Sequence, residues 1–175
     1  FLIISVRRLR RERIGVPARV GHKKLDPEAK LDTHGVPVVA LAGTCMEAGK
    51  TAAACALIGR MRHRGLVIDA FKATGVSLRR DILAMEDAGA RRSLIFTDHG
   101  IVTTTRANGP ALTRAMITEL SAGKPDVIVF ELGDGILGTY GVDAILECED
   151  IRAALSGVIL SANDPVAAWG GVKLL

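Results

Sequence analysis

The sequence predicts an α/β domain of three layers, with a mainly parallel sheet and helices on both faces. Three observations predict it. Short apolar runs of strand length alternate with helix-length segments over residues 36–175, the order that gives a parallel sheet when crossovers are right-handed. The run Asp126 to Phe130 is apolar between its ends, as a central strand covered on both faces should be. Polar residues with chemical potential gather just after the strands, at the carboxyl ends where such sheets bind ligands.

The elements follow in order. Val36 to Ala42 is the first strand. Lys50 to Arg64 is a helix, closed by Arg62-His63-Arg64 and Gly65, cations and a glycine being C-terminal signals. Leu66 to Phe71 is the second strand. Arg79 to Ala88 is a helix ended by Gly89. Ser93 to Phe96 is a short strand, Pro110 to Ala122 a helix with Gly123 behind it, and Asp126 to Phe130 the central strand. Asp143 to Leu155 reads as one helix and Gly157 to Ser161 as the last strand. Pro165 opens a further helix in which the chain stops, proline being favoured in a first turn.

Between the first strand and first helix stands Gly43-Thr44-Cys45-Met46-Glu47-Ala48-Gly49-Lys50-Thr51. Strand, glycine-bounded loop, Gly-Lys-Thr and helix is the order of a phosphate-binding P-loop. Its glycines let backbone N–H groups close around a polyphosphate, and the helix N-terminus adds partial positive charge. Lys50 then reaches the outer phosphates and the Thr51 hydroxyl binds Mg²⁺. Five residues separate Gly43 from Gly49, where the common loop has four. The candidate nucleotide cradle is Gly43, Thr44, Glu47, Ala48, Gly49, Lys50, Thr51 and Ala52.

Composition bounds the alternatives. At 49% hydrophobic and 3% aromatic, the core is aliphatic and offers little on which bases can stack, against single-strand nucleic-acid binding. The net charge of +4 is unevenly spread. Residues 1–30 hold nine Lys/Arg against three Asp/Glu, whereas residues 31–175 are slightly acidic. Residues 1–35 therefore read as a basic lead-in or the end of a preceding domain, and residues 36–175 as the nucleotide-binding domain, truncated at its C-terminus. The cluster Arg7-Arg8-Leu9-Arg10-Arg11 is a solvated connector or a contact for nucleic acid or anionic lipid. Apolar Phe1 to Val6 precedes the charge, the reverse of a signal peptide, and no run is long enough to span a membrane. Three scattered cysteines give neither a disulfide framework nor a metal pattern, which fits a reducing cytoplasmic setting.

Other candidates follow the strands. Lys72 ends the second, aimed at a phosphate or substrate carboxylate, or else snorkelling at a strand edge. Arg79 and Arg80 can hold an anion. Asp81 in the next helix is a Mg²⁺ ligand or a dipole-favoured acid. Glu131 follows the central strand, where an acid beside a P-loop contacts Mg²⁺. Asp134 also qualifies, although Asp-Gly is a favoured turn pair. His99 is an acid–base candidate or an exposed loop histidine. Asn163 reads a nucleobase edge, or Asn163-Asp164 caps the helix beginning at Pro165.

The loop Gly43 to Thr51 resembles that of dethiobiotin synthetase and its relatives, among them amidotransferase-linked cobyrinic acid synthetases. Gly43-Thr44, Glu47 and Gly49-Lys50-Thr51 match the family pattern. Lys72, Asp81 and Glu131 stand where that family has a lysine, an aspartate and a glutamate. Two elements depart from it: Lys72-Ala73-Thr74 replaces Lys-Pro-Val, and Leu132-Gly133-Asp134-Gly135 replaces Gly-Ala-Gly-Gly. Cys45 stands where MinD-type ATPases carry a second lysine. The chain also looks like the P-loop half of a family related to D-glutamate N-acetyltransferase, in which a preceding domain accounts for residues 1–30.

The resemblance implies Mg²⁺–ATP as ligand, with Lys50 and Lys72 as catalytic cations on phosphate or substrate, and Thr51, Asp81 and Glu131 around the metal. The activity it implies is phosphoryl transfer to a small carboxylate or carbamate, with a small anionic substrate held, as in relatives, across the interface of a homodimer. The alternatives are a nucleotide-dependent switch acting on a partner, and an acyltransferase whose loop binds the phosphates of acetyl-CoA.

Overall fold

A computed structural model of the protein describes residues 25–175. The expectations for the apolar start and arginine cluster fall on residues 1–24, outside that range. Five strands form one sheet: β1 (Val38–Gly43), β2 (Ile68–Lys72), β3 (Arg92–Ile95), β4 (Val127–Glu131) and β5 (Leu155–Ser161), in the order β3-β2-β4-β1-β5. All four strand pairs are parallel. The helices are α1 (Lys50–His63), α2 (Arg79–Asp87), α3 (Gly109–Ser121), α4 (Val142–Glu147), α5 (Glu149–Ala154) and α6 (Pro165–Leu174), with a 3₁₀ turn at Phe96–His99.

Strand alternation explains the layers. Val38, Ala40 and Ala42 of β1, with Ile128 and Phe130 of β4, pack on Leu112, Met116, Ile117 and Leu120 of α3 and on Val142, Ile145 and Ile151. Leu41, Ile68, Ala70, Val127 and Val129 face the other way and meet Ala54 and Ile58 of α1 and Met85 of α2. Period two in the strands thus feeds two cores, one on each face. Leu25 and Leu31, within the stretch read as lead-in, pack against the larger core, and the Asp32 N–H donates to Thr118 Oγ1 at 3.1 Å.

Two elements differ from the sequence reading. The helix expected over 143–155 is two short helices, because Cys148 is extended at φ −70°, ψ 113°. Arg114 of α3 reaches the break, donating to Cys148 Sγ at 2.9 Å and to the Asp150 carboxylate at 2.6 and 3.0 Å. Glu149 and Asp150 then start a new helix, where acids are favoured by its dipole. Leu155 opens β5 rather than ending a helix. His99 is buried rather than exposed, because its 3₁₀ turn sets it 3.6 Å from Glu119 of α3. Among the described residues no helix is long and apolar enough to cross a membrane.

Candidate functional site

The strand order gathers the candidate residues. β4 lies between β1 and β2, so Glu131 is in register with Leu41 on one side and Lys72 on the other. Beneath them Phe71 and Phe130 are also in register, their rings stacked 4.7 Å apart. This aromatic pair fixes the ends of β2 and β4 and presents Lys72 and Glu131 side by side. A cavity of about 270 Å³ opens above, lined by Glu47, Gly49, Lys50, Thr51, Ala52, Lys72, Asp81 and Glu131 among others.

The loop after β1 turns through two left-handed residues, Glu47 at φ 60° and Gly49 at φ 92°. Lys50 folds back over it, donating from Nζ to the Cys45 carbonyl at 2.8 Å. Gly43 makes that return possible: a Cβ there would lie 2.8 Å from both Cδ and Nζ of Lys50. Among the described residues, the N–H groups of residues 45–52 donate to no protein acceptor. They form an open ring of donors at the N-terminus of α1, the electrostatic requirement for holding polyphosphate. Thr44 Oγ1 is buried without a hydrogen-bond partner, and its side chain lies toward Gly171 of α6.

Thr51 Oγ1 donates to Glu131 Oε2 at 2.9 Å. Hydroxyl and carboxylate oxygen are hard donors of the kind Mg²⁺ takes. Among the described residues no group of three or more His, Cys, Asp or Glu side chains could hold a metal. Mg²⁺ is bound through one or two carboxylates plus phosphate and water, and Glu131 and Asp81 both line the cavity. Asp81, expected at the metal, is instead ion-paired with Lys72, and Arg80 Nε lies 3.6 Å from its other oxygen.

Burial tunes two groups. It lowers the proton affinity of Lys50, against which Glu131 pulls back. It raises that of Glu131 above the usual glutamate range, opposed by the Thr51 hydrogen bond and the Lys72 charge. Polyphosphate and Mg²⁺ would supply the opposite charges that each group is short of.

Other expected residues lie elsewhere. Gly43, Thr44 and Ala48 belong to the loop but do not line the cavity. Asn163 sits on the far flank of the loop, donating from Nδ2 to Cys45 Sγ at 3.2 Å. Asp164 caps α6 by accepting from the Ala167 N–H at 2.8 Å, which leaves Asn163 alone as base reader. Met46, Val76, Leu78 and Tyr140 give the cavity an apolar side that sequence reasoning missed. Their only signal was proximity to the loops. Thr103 and Thr104 brace the site from below: Val76 bridges Thr103, and the Gly75 N–H donates to Thr104 Oγ1 at 3.0 Å.

No protein-family model matches the sequence, and no curated protein matches it. Solved structures do. Chloroplast FtsY from Physcomitrella patens superposes with a TM-score of 0.51 at 14% identity, over 81% of this chain and 44% of that one. The signal recognition particle receptor FtsY from Elizabethkingia anophelis gives 0.51 at 14% identity, over 79% of this chain and 46% of that one. The same receptor in complex with GDP gives 0.52 at 13%, over 84% and 46%. The chain thus spans less than half the length of these neighbours. At such identities the likeness establishes the fold, which is that of P-loop NTPases.

Proposed function

We propose that this chain binds a Mg²⁺–nucleoside triphosphate at Gly43–Thr51 and acts as a nucleotide-dependent switch, its bound state controlling a partner. The observation that carries the reading is the ring of unpaired N–H donors over residues 45–52 with Lys50 folded across it. Likeness to the receptor structures supports the switch, and one of those holds GDP.

In this reading the loop N–H groups and Lys50 bind the β- and γ-phosphates. Thr51 and Glu131 hold Mg²⁺, and Asp81 joins them once freed from Lys72. The ion supplies charge neutralisation on the phosphate oxygens. Lys72, released in turn, remains in the cavity wall beside Glu131.

A second reading has a specific observation behind it. Lys72 and Arg80 line the same cavity beyond Lys50, which gives a second cationic place for a small acid. That favours ATP-dependent activation of a carboxylate or carbamate, the dethiobiotin synthetase-like activity. Association of two copies belongs with either reading.

Calorimetric titration with Mg²⁺–ATP, Mg²⁺–GTP, each nucleotide without metal, and acetyl-CoA tests the proposal. Mg²⁺-dependent triphosphate binding that Lys50→Ala abolishes is the expected result. Binding of acetyl-CoA in preference to both nucleotides would move the chain to acyl transfer, and unchanged binding by Lys50→Ala would refute the loop as the site. Turnover that requires a small acid would select the second reading over the switch.

A further inference from the structure

Four carboxylates line the cavity: Glu47, Asp81, Glu131 and Asp134. Three are accounted for. Glu131 accepts from Thr51, Asp81 is paired with Lys72, and Glu47 is exposed on the outer turn of the loop. The half-buried Asp134 side chain forms no hydrogen bond or ion pair among the described residues. A free carboxylate in a cavity with two lysines is unusual, because either cation could neutralise it if it were free to swing.

Its backbone is held in place. Asp134 has φ 76°, a left-handed backbone that a non-glycine residue keeps only where its surroundings impose it. The surroundings are on both sides. A Cβ on Gly133 would lie 2.3 Å from the Thr74 carbonyl oxygen, and one on Gly135 would lie 2.8 Å from that of Thr44. The Ile136 N–H donates to the Gly43 carbonyl at 2.9 Å, and Thr74 Oγ1 donates to the Gly133 carbonyl at 2.9 Å. Gly138 leaves the carboxylate its room, since a Cβ there would stand 2.2 Å from Asp134 Oδ2. Asp134 is therefore clamped between the phosphate loop and the loop after β2. It is also close enough to Lys50 that, behind Glu131 and Cys45, it counters the burial that lowers that lysine.

We propose that Asp134 is the catalytic carboxylate that orients the nucleophile attacking the γ-phosphate and takes its proton. The inference rests on the triphosphate-binding reading above. With water as nucleophile, its O–H proton passes to the Asp134 carboxylate as its oxygen bonds to the γ-phosphorus. The bond from that phosphorus to the β,γ-bridging oxygen breaks, and the electron pair stays on the departing diphosphate, facing Lys50. The proton then leaves Asp134 for the released phosphate. Glu131 and Asp81 cannot take this part while they hold the metal, and Glu47 is exposed on the outer turn of the loop, so the duty falls to the half-buried Asp134.

Asp134→Asn tests this in the full chain. Asparagine keeps the shape and tolerates left-handed backbone, so folding, checked by thermal melting, should persist. With the triphosphate that the wild type binds, the single-turnover rate is expected to fall about a hundredfold or more. The acid limb of the rate's pH profile should vanish. Affinity for the Mg²⁺-bound β,γ-imido analogue should stay the same or tighten, because a negative charge facing the γ-phosphate has gone. An unchanged rate overturns the proposal. So does analogue binding weakened only when Mg²⁺ is present, which would make Asp134 a metal ligand, and so does a wild type that binds the triphosphate without ever turning it over. A wild type that binds no triphosphate removes the underlying reading itself. If Asp134→Asn does not fold, Asp134→Gly relieves the backbone and must show the same loss of rate.

Discussion

Lys72→Met offers the most direct test of the site's charge balance. Lys72 and Asp81 are paired with only 7% and 12% of their side chains exposed. Removing one partner of a buried pair strands the other charge, at about 3–5 kcal/mol. Arg80 lies near the same carboxylate but is 82% exposed, so it offsets a small part, leaving a loss of about 2–3 kcal/mol. At about 2–4 °C per kcal/mol for a chain of this size, the melting temperature should drop by roughly 5–10 °C. Thermal unfolding at neutral pH reads this directly. Millimolar Mg²⁺ should restore part of the loss in Lys72→Met and do little for the wild type, because the freed Asp81 carboxylate then takes the ion in place of the ammonium. Lys72→Met/Asp81→Asn should lie well above Lys72→Met alone, since no charge is stranded. Wild-type-like melting of Lys72→Met would refute the pair as a buried one. An equal Mg²⁺ response in both proteins would refute Asp81 as a cation site.

Two further outcomes follow from the same geometry. Gly43→Ala puts a methyl group where the end of Lys50 now lies; because that end is flexible, the melting temperature should hold while triphosphate affinity falls about tenfold, or about 1.4 kcal/mol, by titration. Glu131 is raised by burial, so the folded state keeps this proton to higher pH than the unfolded chain does, and the group's contribution to stability is full below the ordinary glutamate range and lost as pH rises through the raised value. Glu131→Gln should therefore gain stability on the wild type between acid and neutral pH in denaturant titrations, while losing Mg²⁺-dependent nucleotide binding; a parallel pH dependence of the two proteins would count against a buried, proton-retaining Glu131.

What was legible in the sequence was local. Gly43–Thr51 carries its own loop geometry in nine consecutive residues, and apolar strand runs announce a parallel sheet. Lys72, Asp81 and Glu131 could each be marked because strand ends can be read from the sequence. Their mutual contacts could not. Lys72 meets Glu131 only because β2 lies beside β4, a neighbour relation that chain order does not specify. The break at Cys148 depends on Arg114, 34 residues earlier, against a local pattern that favours one continuous helix. Asn163 looks equivalent to any other residue after a strand, yet β5 is at the sheet edge beyond β1, so it reaches the outer flank of the loop instead of the cavity. Asp134 had a satisfactory explanation as a turn residue, and only the contacts of its flanking glycines show that it is clamped.

Those contacts also bear on how a nucleotide could be sensed. The phosphate loop, residues 74–81 and residues 133–138 are not independent. Gly135 lies against the Thr44 backbone, Gly133 lies against Thr74, and the Ile136 N–H is bonded to Gly43. Atoms this close to backbone cannot shift singly, because packed interfaces pass from one arrangement to another instead of deforming smoothly. Exchange of the Lys72–Asp81 pair for Mg²⁺ would act at the start of α2, and loss of a γ-phosphate would act on the loop that holds Asp134. Both ends carry exposed apolar residues, Val76 and Leu78 on one and Leu137 on the other, where a partner could distinguish the two states. Amide hydrogen exchange should therefore differ between triphosphate- and diphosphate-bound protein in residues 74–81 and 133–140 together, with β3 and α3 unchanged. Differences confined to Gly43–Thr51 would mean that the nucleotide is held but not reported, and the switch would give way to the enzyme acting on a small acid.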